Sequence, residues 1–397
     1  MKRSSDRILT SHVGSLIRPD SIKEFTSAMA EGKDVDMKAY EETLHTEVGN
    51  VVHDQVTHKV DVVSDGEFSK YAWTAYSAER LTGFEMREDP NVLKFLGHDF
   101  QTFKGFYEES MSQQMRRMGR NRVMNQWMCV GPIEYTDRGR ELMRRDVQNL
   151  KDAIKDVSVA GAFLPVVAPC SIAPSYGNEY YKSEEDFLFA LAEAQHEEYK
   201  IITDAGLIVQ VDDAILTNLY DAVVDSGRDY RKWVEMNVAA LNHALQGIPE
   251  EQVRYHLCWG SWPGPHMSDV PFSEIVDLLL KINAQGYAIE AANPRHEHEW
   301  TIWETTKLPD GKILLPGCIS HAIAHVEHPE LVAQRIVRFA GLVGRENVIA
   351  SSDCGFAQSF VLSRQHPEIV WAKLEALAEG AAIATKRLWG KQASAAQ

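Results

Sequence analysis

Cysteine is scarce in this chain: five residues among 397, at positions 129, 170, 258, 318 and 354. An odd, widely spaced handful does not make a disulfide framework, so reduced thiols are expected. Long apolar runs are missing as well. No stretch reaches the ~18 consecutive apolar residues of a membrane span, and the opening MKRSSDRILTSHVGS has no run of signal-peptide length. Nothing directs the chain out of the cytoplasm, and a cytoplasmic location is expected. Basic residues are outnumbered, 41 Lys and Arg against 57 Asp and Glu, for a formal net charge of −16. That balance argues against nucleic acid or an anionic membrane as the main partner. Internal repeats, low-complexity tracts and linkers are also absent, so a single domain over 1–397 is expected.

What is present is enough apolar residue, 44%, to bury a full core, arranged in a regular alternation. Eight apolar or β-branched runs end in small or polar residues: ILTSHVGS (8–15), VDVVSDGE (60–67), FLPVVAPCS (163–171), GLIVQVDDA (206–214), VRYHLCWG (253–260), GYAIEAAN (286–293), KILLPGCISH (312–321) and NVIASSDCGF (347–356). Helical stretches lie between them. The segment 183–206 opens on a capping pattern, Ser183 with Asp186, and closes on Gly206, while 329–344 begins with Pro329. Eight strand-helix alternations predict an α/β fold, a (β/α)8 TIM barrel. An open doubly wound sheet is the competing architecture, but no GxGxxG follows the first strand, and polar residues close nearly every strand rather than one switch point. Residues 98–135 are expected as a β-hairpin-like insertion after the second strand, containing the basic loop RRMGRNR (116–122). The Trp/Pro/Gly-rich 259–272 is a candidate lid, and 366–397 a C-terminal helical tail.

Four residues point to a metal. His256 and Cys258 leave the same face of one strand, because strand side chains alternate with period two; Glu290 interrupts an apolar run and Cys354 ends another. Singly, each is more readily a buried core residue. Together they are a thiolate, imidazole and carboxylate set that zinc accepts, with the carboxylate as the weakest ligand and the one a substrate could displace. The long gaps from 258 to 290 and from 290 to 354 mean that the fold, not a local loop, would assemble them.

The ordered motifs SHVGSLIRP (11–19), VSDGE (63–67), QVDDA (210–214), HLC (256–258), IEAAN (289–293), LPGCIS (315–320) and SDCG (352–355) resemble the catalytic barrel of the cobalamin-independent methionine synthases. They also resemble the wider zinc-dependent thiol alkyltransferases, epoxyalkane:coenzyme M transferase among them. The resemblance implies that His256, Cys258, Glu290 and Cys354 bind Zn2+, and that Ser15, Glu67 and Asp212 hold an amino-acid thiol, the carboxylates taking its ammonium. It implies a homocysteine methyltransferase that uses a methyl-folate triglutamate. This chain departs from the long members in lacking their preceding N-terminal half, in its insertion after Cys258, in RHEHEW (295–300), and in Ser320 and His321 where an aspartate is usual.

The chemistry so implied is activation of a thiol by zinc and in-line attack on an alkyl donor. His321 is the candidate general acid, with His296 and His298 behind it. Without a second half the chain offers few basic residues to a polyglutamate, so a smaller donor, or one delivered by a partner such as a corrinoid protein, is expected over free polyglutamyl folate. An epoxide donor is the enzymatic alternative, and a non-catalytic metal- or corrinoid-binding barrel the alternative of another class. Porphyrin decarboxylases share the barrel but need no zinc. The sequence leaves a homo-oligomer open.

Overall fold

The computed structural model describes residues 1–30, 33–72, 74–88, 97–110, 125–261, 264–357 and 365–390. In chain order its strands are β1 (Leu9–Thr10), β2 (Val62–Ser64), β3 (Phe84–Glu88), β4 (Asn125–Cys129), β5 (Gly161–Val167), β6 (Gly177–Asn178), β7 (Ile208–Asp213), β8 (Val253–Leu257), β9 (Gly286–Ile289), β10 (Ile313–Ile319) and β11 (Ile349–Ser352). Each of the eight apolar runs supplies one strand of a parallel sheet ordered β1-β11-β10-β9-β8-β7-β5-β2. The edges meet: Asp61 N donates to Thr10 O at 3.1 Å, and Ser11 Oγ to Val62 O at 3.2 Å. The fold is therefore the barrel that the alternation predicts.

Parity along each strand separates two environments. On β8, Val253, Tyr255 and Leu257 belong to the main apolar layer under the helices, so Arg254 and His256 point inward, and Cys258 follows with the same parity. The barrel floor is apolar, with Leu9, Ala288, Ile313, Leu315 and Ile349 in one cluster and Val62, Phe163 and Ile208 in another. Arg254, 0% exposed, lies above that floor. Its guanidinium stacks 4.3 Å from the centroid of Phe163 and donates to Ser11 Oγ at 2.8 Å.

The outer helices follow local signals. Glu184–Asp204 is capped by Ser183, whose side chain accepts from Asp186 N, and Gly206 beyond it takes φ +82°. Pro329–Val343 starts with proline in its first turn and is followed by Gly344 at φ +90°, a left-handed position that glycine adopts without strain. Pro367–Trp389, placed in a tail by the sequence reading, follows the last barrel strand and packs back on the first: Ile8 N donates to Thr385 Oγ1 at 3.0 Å. Residues 391–397 lie outside the described residues.

Two details differ from the even alternation. After β8 and β9 the described helices shrink to Val276–Leu279 and a 3₁₀ run, Glu297–Glu304, because these segments are given over to the loops at the barrel mouth. In the excursion after β2, the antiparallel pair is β3 with β4, from Phe84↔Cys129 to Glu88↔Asn125, and β6 extends it in parallel. The hairpin thus starts before residue 98, and the expected insertion opens instead on a helix, Gly97–Thr102. Asp99 on that helix accepts from Met267 N at 2.9 Å and Ser268 N at 3.1 Å, tying the excursion to the loop after Cys258. RRMGRNR (116–122) and residues 262 and 263 of the candidate lid fall outside the described residues.

Candidate active site and metal centre

Three of the four proposed ligands converge. Donor atoms of His256, Cys258 and Cys354 lie within 4.8 Å of one another, all buried, and the Cys258 and Cys354 sulfurs are 3.5 Å apart. Two sulfurs on one tetrahedral zinc, with bonds of about 2.3 Å, would sit about 3.8 Å apart, so the pair is spaced for one ion. His256, 2% exposed, has no hydrogen-bond partner for Nε2 among the described residues, an arrangement a metal bond would relieve. The sulfurs are held in turn by Gly260 N, donating to Cys258 at 3.2 Å, and Ser261 Oγ, donating to Cys354 at 3.2 Å. Hydrogen bonding from Cys258 holds the Cys354 thiol well below the ordinary range, while the same contact and burial push Cys258 up.

Glu290 falls instead in a neighbouring group with His321 and Asp353. Its carboxylate accepts from Trp259 N at 2.9 Å and Asn293 Nδ2 at 2.6 Å. Burial, then Asp353 and Cys354, raise its pKa to about 8. His321 is 3% exposed, and its charge bears on Cys354.

The residues expected to hold an amino acid border this pocket. Asp212 and His256 are register partners on β7 and β8, so both point into the barrel, side by side. Gln210 Nε2 donates to Asp212 Oδ1 at 2.7 Å, and burial raises the Asp212 carboxyl to about 8. Glu67 takes φ +60°, uncommon for a residue with a side chain and often a mark of functional sites. Its Oε1 would stand 3.0 Å from a Cβ on Gly14, whose own φ is +127°, so glycine there makes room for the carboxylate. Burial raises Glu67, and Lys70 and Arg18 oppose the rise. Ser15 serves the metal loop more visibly than a ligand: its Oγ accepts from Ala357 N at 3.1 Å, and its carbonyl from Phe356 N at 2.8 Å. Asp213, neighbour of Asp212, points outward to Tyr255 Oη at 2.9 Å and Ser171 Oγ at 3.1 Å, a packing role.

Of the two reserve candidates for general acid, one is engaged elsewhere and the other faces solvent. His296 is buried between Asp269 (3.0 Å) and Glu299 (2.9 Å). Its ring lies 4.3 Å from that of Trp259. Burial works against its charge, but those carboxylates raise its pKa to about 9, so it clamps the loop next to Cys258 as an imidazolium. His298 is exposed. Sequence reasoning missed this clamp, along with the buried cations Lys70 and Arg18 beside Glu67; a lysine three residues past Glu67 and an arginine three past Ser15 were the available signals.

A parallel barrel with a buried Cys, His and Cys cluster at the C-terminal ends of its strands defines the class, a barrel with a candidate metal centre at its mouth. The family model for the cobalamin-independent synthase catalytic domain matches residues 132–366, well over half of the chain, and the protein belongs to that family. It is 28% identical over 276 residues to a methionine synthase of Sulfolobus acidocaldarius, covering 68% of each chain. With a methionine synthase of Saccharolobus islandicus it shares 25% identity over 382 residues, 96% of this chain and 95% of the relative. A solved B12-independent methionine synthase from Shewanella sp. W3-18-1, in complex with selenomethionine, has the same fold, with a TM-score of 0.72 at 20% identity, covering 97% and 99% of the two chains. No described helix is long and apolar enough to cross a membrane.

Proposed function

We propose that this chain transfers a methyl group to the sulfur of homocysteine, with zinc held by His256, Cys258 and Cys354 and with Glu290 at the edge of the pocket as the displaceable fourth ligand. The observation that carries this reading is the pair of sulfurs 3.5 Å apart beside an imidazole nitrogen without a partner among the described residues. The names of the curated relatives, methionine synthases over nearly the whole chain, support it. Zinc held by these residues would supply Lewis acidity, which lowers the pKa of a thiol whose ordinary value is ~8.5.

The chain's own residues do the rest. Glu67 and Asp212 receive the substrate ammonium; Lys70 opposes the burial-driven rise of both carboxyls, and Arg18 that of Glu67. Ser15 fixes the loop that carries Cys354. Enclosure of the cluster excludes water from the reacting sulfur, and alignment of thiol and donor supplies much of the rate. His321, the candidate general acid, is buried beside the metal pocket in a group with Glu290 and Asp353.

The test compares acceptors on zinc-loaded protein. A thiol lacking the amino group should lose roughly 1.5–3 kcal/mol of binding, about 10- to 150-fold, against homocysteine. Equal use of a sulfonate thiol without an amino group would overturn the amino-acid reading and favour an epoxide-type alkylation. Assays with methyl-folate triglutamate and with a methylated corrinoid protein then assign the donor.

A further inference from the structure

We propose a second divalent-cation site beside the thiolate pocket, made by Glu290, His321 and Asp353 with Glu290 bridging the two. Their donor atoms lie within 4.8 Å of one another, and the side chains are 5%, 3% and 0% exposed. Asp353 is built into the barrel wall, and one of its two oxygens is left over from that role. A Cβ on Gly317 would come within 1.9 Å of Asp353 Oδ1, so glycine at that point of β10 is what admits the carboxylate. Oδ1 is then fixed by Ala291 N at 2.7 Å and Ala292 N at 2.8 Å. Oδ2 is left buried with no hydrogen-bond partner among the described residues, and such an atom costs free energy unless something binds it.

Charge points the same way. A pair of thiolates and a pair of carboxylates outweigh one divalent ion by two charges, of which the His296 imidazolium beside Glu290 and Asp353 offsets only part. The nearest guanidinium, Arg335, is already bidentate to Glu297 at 2.8 and 3.0 Å. A second divalent ion would offset the remaining negative charge, and a carboxylate with two oxygens is the usual bridge between paired metals. Two oxygens and one imidazole nitrogen form a harder set than the neighbouring His and two Cys, suited to Mn2+ or Co2+ as well as Zn2+. The inference rests on the thiolate pocket being a metal centre but not on homocysteine as substrate.

The test uses the full chain, stripped by a chelator and reloaded. Co2+ is titrated first, and its sulfur-to-metal absorption reports the thiolate pocket. Mn2+ follows, read by loss of the free-ion resonance and by elemental analysis after gel filtration. Wild type should retain one equivalent of each. Asp353→Asn, which keeps an oxygen for the two backbone amides, and His321→Gln should each lose the manganese, by at least tenfold in affinity, and keep the sulfur-to-cobalt band. Wild type that saturates at one equivalent while showing that band overturns the second site alone, as would either variant holding both ions. Absence of the band overturns the thiolate pocket, and the second site with it.

Discussion

The floor and the mouth of the barrel are built from the same inward-facing positions of the same strands, yet they do opposite work. On β7, Ile208 faces the floor and Asp212 the mouth; on β9, Ala288 faces the floor and Glu290 follows at the mouth. Two to four steps along a strand keep parity and move about 7–13 Å along it, enough to pass from dry packing to clustered acids, thiols and imidazole. Below, apolar contact holds the barrel shut. Above, groups that cost stability when buried are tolerated because a ligand would satisfy them, and the raised carboxyls of Asp212 and Glu290 mark that tension. Stability and chemistry should therefore separate by height in the barrel.

Substitutions break or sharpen that division. The largest effect is expected from Cys258→Ser or Cys354→Ser, which should remove bound zinc and cut activity on the order of a thousandfold or more, with denaturant unfolding shifted by only about 1 kcal/mol. Undiminished zinc by metal analysis in both variants contradicts the assignment. At the floor the reverse is expected: Phe163→Ala should cost about 3–5 kcal/mol in unfolding while the folded variant keeps its zinc. A loss under about 1 kcal/mol would mean that the floor is not packed as described.

The clamp at the mouth has a pH signature. The folded pKa of His296, about 9, lies above the unfolded value near 6.5, so its contribution is fully present below pH ~6.5 and fades as pH rises through about 9. Wild type should exceed His296→Asn in stability by up to about 3 kcal/mol at low pH, with the gap closing over that window. A pH-independent gap would assign the loss to packing against Trp259. The smallest effect concerns Asp212. With its carboxyl at about 8, it is protonated at neutral pH and meets an ammonium only after losing that proton. KM for homocysteine should fall as pH rises toward 8, and Asp212→Asn should raise KM roughly 10- to 150-fold and abolish that dependence.

Much of this was legible in the chain. Period-two spacing in VRYHLC is enough to put His256 and Cys258 on one face, and the eight runs ending in polar residues define the barrel, because strand parity and strand count are local properties. Contacts between distant loops were not legible. Nothing local says that Asp353 enters the space left by Gly317, that Asp99 would hold the loop at Met267, or that His296 in RHEHEW would be sealed between Asp269 and Glu299. The excursion was displaced in the reading because Phe84–Glu88 is half polar, with a single partly buried position among exposed ones, and gives no strand pattern against a hydrophobic face.

The most direct test of the thiol-activating centre is zinc X-ray absorption on the loaded protein, before and after homocysteine. The account predicts two sulfur neighbours at rest and three with homocysteine, as the substrate thiol enters where a carboxylate or water had been. An unchanged sulfur count at saturating homocysteine would contradict it, leaving a structural ion closed by protein ligands.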